Sequence, residues 1–158
     1  MTAFYEDIEI GSEELYGSFT FTEEHIIRFA TAFDPQAFHL DHEAAKASHF
    51  GALCASGWHT ASIWMKLYVQ HHQKLQAAAQ QRGEASAELG PGLGFKNLKW
   101  IKPVYVGDRL SYGSKITAKR ISEHRPRWGV VSSDNWAVNQ NGVTVFEFSA
   151  TVMRERRP

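Results

Sequence analysis

The longest helix signal in the chain is residues 56–69, Ser56-Gly-Trp-His-Thr-Ala-Ser-Ile-Trp-Met-Lys-Leu-Tyr-Val69. Apolar side chains fall on nearly every side of this stretch for three turns. A helix with this pattern is normally covered on most of its faces by the rest of the fold. We therefore predict a long, buried helix from Gly57 to about residue 80, whose distal residues 71–74 turn polar and emerge into solvent.

The second half of the chain carries the strand signals. The predicted strands are residues 94–101, 109–121, 128–140 and 143–154. Asn141-Gly142 indicates a hairpin between the last two, because both residues tolerate positive φ. Residues 80–94, rich in glycine and proline, are predicted as a loop. Long antiparallel strands and one buried helix together predict an α+β fold with the helix packed against the sheet.

Two shorter helices are predicted before the long one. Thr22 is a suitable cap for the first, which follows a short strand signal and carries apolar residues at helical spacing. Pro35 ends this helix, because the residue before a proline is pushed out of the α region. Asp34 is therefore expected in a loop. The second helix is expected to begin near Asp41.

Composition limits the classes of function. At 158 residues and 17.9 kDa, the chain is expected to form one domain. Its 17 basic and 17 acidic side chains balance, which gives no general attraction to nucleic acid or an anionic membrane. No run approaches the ~20 apolar residues of a membrane span. The single cysteine favours a reducing compartment, and no signal peptide is recognised, so we expect a cytoplasmic protein.

The stretch Asp34-Pro-Gln-Ala-Phe-His39 places a carboxylate and an imidazole five residues apart in a loop. One interpretation is a plain turn, since Asp-Pro often starts a loop and His39 could bond to the backbone. The other is a pair of groups able to orient and deprotonate a water molecule. Loops beside helix ends often carry such groups.

Gly57 adds a second feature at the start of the long helix. It could be a helix start or a close packing point only. Alternatively, the free N–H groups of the first turn carry partial positive charge, and a glycine lets a substrate carbonyl approach them. In a dry site such a donor stabilises an enolate or another oxyanion. Ser56 and Ser62 could add hydroxyl donors.

Other candidates are weaker. His39 and His42, with Asp41, resemble the corner of a metal site, but no further ligand stands at a supporting distance, so no metal is predicted. Cys54 is interpreted as a small buried apolar residue. The arginines of residues 154–157 are predicted to form a solvated tail.

Three stretches resemble the MaoC-like dehydratases, the hot-dog-fold family of (R)-specific enoyl-CoA hydratases. They are Asp34-Pro-Gln-Ala-Phe-His39-Leu-Asp41, Ala55-Ser-Gly57-Trp-His-Thr60 and Lys102-Pro-Val-Tyr-Val-Gly-Asp108-Arg-Leu110. The similarity extends from about Thr22 to the last strand and keeps the family's Asp-to-His spacing. In one departure, residues 36–38 replace the Asn-Pro-Leu that precedes the His in better characterised members. This change bears on substrate preference more than on reaction type.

The resemblance implies one hot-dog domain over residues 1–158, a central helix wrapped by a curved antiparallel sheet. It also implies a homodimer or an assembly of dimers, with the acyl-CoA substrate in a tunnel near the subunit interface. Asp34 and His39 would hold the water that adds to the enoyl double bond. The Gly57 N–H would stabilise the enolate-like thioester oxygen. No cofactor is implied, since coenzyme A is part of the substrate.

Further side chains are candidates for holding the substrate. For the acyl thioester they are Gln36, Phe38, Ser56, Trp58 and Ser62. Bulky residues here, with Phe50, Trp64 and Met65, would favour a short or branched acyl chain. The nucleotide end of CoA needs cations, and the candidates are Lys99, Lys102 and Arg109. Each of these three is also consistent with an ordinary surface charge.

Two alternatives remain open. A hot-dog thioesterase would hydrolyse the same thioester, and that family usually relies on a carboxylate on or beside the central helix. Residues 57–66 contain no Asp or Glu, which argues against it. A non-catalytic acyl-thioester binding module would use Asp34 and His39 only as turn residues.

Overall fold

The structure, a computed structural model, describes residues 4–158. Its helices are α1 (Glu23–Phe33), α2 (His42–Ala47) and α3 (Gly57–Gln81). Its strands are β1 (Glu13–Thr20), β2 (Leu89–Trp100), β3 (Arg109–Ile121), β4 (Trp128–Val138) and β5 (Thr144–Glu155). Two 3-10 turns lie at Tyr5–Asp7 and Ala37–His39. No helix in the described range is long and apolar enough to cross a membrane.

The five strands form one antiparallel sheet in the order β1-β3-β4-β5-β2. Helix α3 packs against this sheet through its buried side. The hydroxyl of Tyr112 on β3 donates to the Thr60 carbonyl at 3.2 Å, and the Trp64 ring meets Phe148 of β5 edge-on at 4.8 Å. The predicted α+β arrangement is confirmed. The predicted hairpin is also present, with Gly142 at φ +72°.

Local signals set the ends of the first two helices as predicted. The Thr22 hydroxyl accepts a hydrogen bond from the His25 N–H at 3.3 Å, and α1 ends at Phe33. Asp34 leaves the helical region at φ −151°, directly before Pro35. The Asp41 carboxylate accepts from the Ala44 N–H at 2.8 Å and caps α2.

Strand β2 is longer than the sequence predicted. It begins at Leu89, so residues 89–93 form part of the sheet and not of a loop. Gly92 pairs with Val152 and Gly94 with Thr151, because β5 extends far enough to offer partners. The register shifts three times along β2, and Asn97 at one shift has φ +56°. Glycines weaken a strand signal, and this pairing across about 60 residues overrides it.

The prediction that the distal part of α3 emerges into solvent is wrong for His72, which is buried. Its Nδ1 bonds to the Tyr68 carbonyl at 2.9 Å, and its Nε2 accepts from Arg154 at 2.8 Å. Burial and the Arg154 charge lower the pKa of His72 to about 4. Arg154 is buried too, because β5 carries it beneath the helix.

The predicted solvated tail is therefore wrong, and its other two arginines are also engaged. Arg156 pairs with Glu6 at 3.0 Å, and Arg157 pairs with Asp7 at 2.6 Å. These ion pairs tie the end of the chain to the first 3-10 turn, 150 residues away. A sequence of basic residues at a terminus does not reveal such distant partners.

The opposite side of α3 is less covered than predicted. Trp58 and Met65 are 51% and 53% exposed within the described chain. Trp58 meets Trp100 of β2 edge-on at 5.0 Å, and Met65 shares a cavity with Phe95 of the same strand. Helix α3 and edge strand β2 therefore leave an apolar side of the molecule open.

Candidate active site

The carboxylate of Asp34 and the imidazole of His39 meet in the loop between α1 and α2. Asp34 ends α1, and the 3-10 turn Ala37–His39 folds the chain back, so that Oδ2 of Asp34 lies 3.5 Å from Nε2 of His39. Both side chains are largely buried, at 18% and 6% exposure. A short loop thus brings together the two groups that the sequence singled out.

A backbone contact fixes the orientation of the His39 ring. Its Nδ1 lies 2.7 Å from the Cys54 carbonyl oxygen, which can only accept a hydrogen bond. Nδ1 therefore carries a proton, and in the neutral form of the ring Nε2 is the unprotonated nitrogen that faces Asp34. This is the tautomer that a general base acting through Nε2 requires.

The Asp34 carboxylate is held in its ionised form. Gln36 donates to its Oδ1 at 2.8 Å, and the Ser56 hydroxyl also bonds to it. Burial alone would raise the pKa of Asp34, but the bonds from Ser56 and Gln36 and the nearby His39 outweigh burial and keep the pKa below its ordinary value. Gln36, a candidate substrate contact, is therefore also a partner of the carboxylate.

The first turn of α3 supplies a hydrogen-bond donor. Ser56 caps the helix, and its hydroxyl accepts from the Trp58 N–H at 3.2 Å. The N–H groups of His59 and Thr60 bond to the Ser56 carbonyl. Within residues 4–158 the Gly57 N–H has no acceptor. It is a free donor at the positive end of a 25-residue helix.

These groups line one cavity of about 350 Å³. Polar members of its wall are Asp34, Gln36, His39, Ser56, Thr60 and Lys102, and most of the remainder is apolar. The three groups predicted to be catalytic therefore line the same cavity, namely Asp34, His39 and Gly57. A mostly apolar cavity with a few convergent polar groups is the usual form of a small-molecule site.

Most predicted substrate contacts lie at this cavity. Phe38, Ser56, Trp58 and Phe50 line it. Ser62 does not: it is exposed, and its hydroxyl donates to the Trp58 carbonyl of its own helix at 2.7 Å. Trp64 and Met65 line a different cavity farther along α3.

The three cationic side chains predicted to bind CoA lie in different surroundings. Lys102 lines the cavity and is exposed. Lys99 pairs instead with Glu147 at 2.9 Å. Arg109 donates to the Ser18 hydroxyl at 2.8 Å across the β1–β3 ladder, and it is not part of the cavity wall. Only Lys102 of the three stands where it could meet a ligand of this cavity.

Sequence reasoning missed Trp100. Its indole packs so close to Gly57 that a Cβ there would lie 2.6 Å from ring atoms Cδ2 and Nε1. Trp100 stands 43 residues beyond Gly57 on an edge strand, and no local pattern links the two. The only feature that the sequence offered was a large aromatic residue inside the strand predicted for residues 94–101.

Two weaker candidates lie outside the proposed chemistry. Cys54 is buried, and burial raises the pKa of its thiol to about 11, which opposes a nucleophilic function. In the part of the chain that the structure describes, no group of three or more His, Cys, Asp or Glu side chains is arranged to hold a metal ion.

Comparisons with known proteins bear on the family and the fold of the chain. Residues 9–134 match the family described as MaoC like domain. The structure of a MaoC-like dehydratase from Rhodospirillum rubrum is 35% identical, with 99% of each chain covered and a TM-score of 0.83. An (R)-hydratase from A. caviae involved in PHA biosynthesis is 23% identical, with 97% of this chain and 99% of that chain covered and a TM-score of 0.66.

A third structure bears on the fold. A Mycobacterium tuberculosis protein with a double hot-dog fold is 14% identical; 99% of this chain aligns with 45% of that chain at a TM-score of 0.77. The protein described here has the hot-dog fold, a long helix packed on an antiparallel sheet. Within that class the chain belongs to the MaoC-like dehydratase family.

Proposed function

We propose that the protein adds water to the double bond of a trans-2-enoyl-CoA, or removes it from the 3-hydroxyacyl-CoA. The observation that carries this proposal is the convergence of Asp34, Nε2 of His39 and the free Gly57 N–H on one cavity. Hydration needs a base for water and a donor for the thioester oxygen, and these residues supply both.

In hydration, one water molecule lies between Asp34 and His39. Its oxygen forms a bond to C3 of the enoyl group while one of its protons passes to the Asp34–His39 pair. Electron density moves from the double bond onto the thioester oxygen, where the Gly57 N–H stabilises the negative charge. A proton then passes from the pair to C2, on the same face, and restores the thioester. Dehydration is the reverse sequence.

Coenzyme A enters this proposal as part of the substrate, and no separate cofactor is invoked. Lys102, exposed at the cavity wall, is the cation best placed for a phosphate of its nucleotide end. The change from the family's Asn-Pro-Leu to Gln36-Ala37-Phe38 keeps an amide beside the carboxylate, since Gln36 bonds to Asp34 at 2.8 Å.

The proposal includes a homodimer. Exposed apolar residues lie on α3 and on edge strand β2, namely Trp58, Met65, Leu93, Phe95 and Trp100. An uncapped edge strand beside an apolar surface is suited to pairing with a second copy of the chain. Sedimentation equilibrium would test this, with twice the 17.9 kDa chain mass as the expected result.

The first test follows the enoyl thioester absorbance when the protein is mixed with crotonyl-CoA. Loss of absorbance without release of free thiol is the result expected for hydration. Release of free CoA would indicate a thioesterase instead, although α3 has no Asp or Glu to serve that reaction. Tight binding with no turnover across enoyl-CoAs of different length and branching would indicate a binding module and contradict the proposal.

A further inference from the structure

His59 is a buried histidine beside the candidate active site that the proposed reaction does not use. It is 4% exposed and lies on the first turn of α3, two residues after Gly57. Its side chain is not part of the wall of the reaction cavity. Within residues 4–158, Nδ1 of its ring has no hydrogen-bond partner. A buried polar atom without a partner is costly, so the other contacts of the ring must compensate for it.

The contacts of the His59 ring are aromatic, and they fall on α1 and on the chain that leads into it. The ring stacks on Phe29 of α1, with the two centroids 4.6 Å apart and the two planes at 4°. It also meets Phe21 edge-on at 4.9 Å, and Phe21 directly precedes Thr22, the residue that caps α1. His59 therefore contacts the entry and the middle of α1, and two such points fix the direction in which the helix runs.

The surroundings of His59 keep its ring neutral. Burial lowers the pKa of His59 to about 4, and the neighbouring His25 and the charge of Arg28, both on α1, act in the same direction. A ring that is neutral at pH 7 and lies outside the cavity wall has no proton to exchange with a substrate there. These features indicate that His59 acts by packing and not by proton transfer.

Helix α1 carries Asp34 at the end that follows Phe29. Asp34 is the C-cap of α1, and its N–H donates to the Ala30 carbonyl at 2.9 Å. It lies five residues beyond Phe29, which corresponds to ~7 Å along a helix axis. Phe29 also contacts the ring of Phe33, the residue directly before Asp34, at 5.1 Å. A tilt of α1 at Phe29 therefore displaces the carboxylate, and a displacement of about 1 Å can cost roughly a hundredfold in rate.

The same turn of α3 holds Asp34 directly. The Ser56 hydroxyl bonds to the Asp34 carboxylate, and the His59 N–H donates to the Ser56 carbonyl at 3.0 Å. One hydrogen bond at the end of a helix leaves the helix free to rotate about it. The stack of His59 on Phe29 supplies a second point of contact between α1 and α3 and removes this freedom.

We propose that His59 is a positioning residue of the active site: its ring, stacked on Phe29, holds α1 at the tilt that brings Asp34 to His39 and Ser56. This inference rests on the proposed function and adds to it a residue that touches neither substrate nor cavity. It explains why a histidine with an unpaired ring nitrogen is tolerated there, since the aromatic ring performs the task and the nitrogen does not.

The first test compares kcat and KM for crotonyl-CoA hydration in the wild type and in variants of His59. We expect folded His59→Ala to lose roughly tenfold or more in kcat with little change in KM, because the carboxylate shifts while the cavity wall stays. His59→Phe keeps an aromatic ring and should restore most of the kcat. Phe29→Ala removes the other ring of the stack and should reproduce the loss, also if His59→Ala does not fold. The double variant should lose no more than the larger single loss, because both changes break one contact.

His72→Ala is the matched control. His72 lies on the same helix, is 3% exposed and bonds to Tyr68 and Arg154, away from α1 and from the cavity. We expect this variant to lose stability but to keep the kcat of the wild type. A loss of kcat that merely follows loss of stability would therefore be visible in the control.

A second test requires no turnover. Urea unfolding at pH 7 measures the stability lost on Asp34→Asn in three backgrounds: the wild type, His59→Ala and His72→Ala. If His59 positions Asp34, the loss in the His59→Ala background should be smaller by about half or more, since the Ser56 bond to the carboxylate is already weakened. In the His72→Ala background the loss should equal that of the wild type.

Three outcomes would overturn the assignment of His59. They are a wild-type kcat in folded His59→Ala, a kcat in His59→Phe as low as in His59→Ala, and an equal cost of Asp34→Asn with and without the His59 ring. Failure of the wild type to hydrate any enoyl-CoA would instead overturn the proposed function, and the unfolding experiment alone would then decide whether His59 positions Asp34.

Discussion

The indole ring of Trp100 lies against the Cα of Gly57, and it leaves no room for a side chain at the first residue of α3. A residue of edge strand β2 thus packs against the helix N-terminus that carries the free N–H group. The hydrogen-bond donor therefore belongs to helix α3, and the ring that packs beside it belongs to strand β2.

This contact predicts the effect of Gly57→Ala. The added Cβ would lie 2.6 Å from atoms Cδ2 and Nε1 of Trp100, so the ring must move. We expect a loss of ~1–3 kcal/mol in the free energy of unfolding, typical of overpacking, together with a fall in hydration rate. Chemical denaturation and the crotonyl-CoA assay measure the two effects. Gly92→Ala is the control, since nothing lies within 4 Å of its added Cβ, and an equal loss there would contradict the explanation.

Asp34→Asn tests the proposed acid–base pair. The amide keeps the shape of the side chain but cannot take a proton, so we expect the hydration rate to fall by roughly 10²–10⁴-fold with the fold intact. Asp41→Asn is the matched control, because Asp41 caps α2 away from the cavity and asparagine caps a helix equally well. Near-normal activity of folded Asp34→Asn would remove Asp34 from the mechanism.

The same carboxylate should influence stability at acid pH. The pKa of Asp34 is lower in the folded protein than its ordinary value of 3.8, so the folded state holds the ionised form more strongly than the unfolded state does. Its contribution is complete above that value and is lost as pH falls through the folded pKa. Urea unfolding of wild type and Asp34→Asn should therefore show a stability difference that shrinks below about pH 4. A constant difference down to pH 2 would argue against this.

His72 predicts a second pH dependence at a higher range. Its pKa is about 4 when buried and near 6.5 when unfolded, so the unfolded state binds the extra proton first. Stability should fall as pH drops from 6.5 toward 4, by an amount on the order of 1–3 kcal/mol. His72→Gln should flatten this slope, whereas the same change at exposed His124 should not. Parallel slopes for wild type and His72→Gln would show that His72 is not the source.

Lys102 predicts a change in substrate affinity without a change in chemistry. We expect Lys102→Ala to raise KM for an enoyl-CoA by roughly threefold to tenfold, with kcat little changed, since an exposed charge pair contributes about 1 kcal/mol. The effect should vanish with an enoyl-pantetheine thioester, which lacks the nucleotide. Lys99→Ala is the control, because Lys99 is engaged with Glu147. A greater effect at Lys99 would reverse this assignment.

Much of the site could be predicted because its parts are close in sequence. Thr22 and Pro35 set the limits of α1, and five residues separate Asp34 from His39, so a single turn suffices to bring them together. The start of α3 at Gly57 also followed from local pattern. Capping residues, prolines and helical periodicity act within a few residues, and for that reason the sequence reveals them directly.

The remainder depended on contacts between distant residues. The Cys54 carbonyl that fixes the His39 tautomer, the Trp100 ring against Gly57 and the burial of His72 by Arg154 each require a particular packing of α3 on the sheet. Lys99 pairs with Glu147 because strand pairing sets the two residues opposite each other on β2 and β5, whereas Lys102 lies beyond β2 at the cavity wall. By itself the sequence determined the chemical groups and the helix that presents them. The tertiary structure decided which residues surround these groups, which nitrogen of His39 is bonded to the backbone and which side chains form the cavity walls. These features depend on long-range strand pairing, and such pairing leaves little trace in the local sequence.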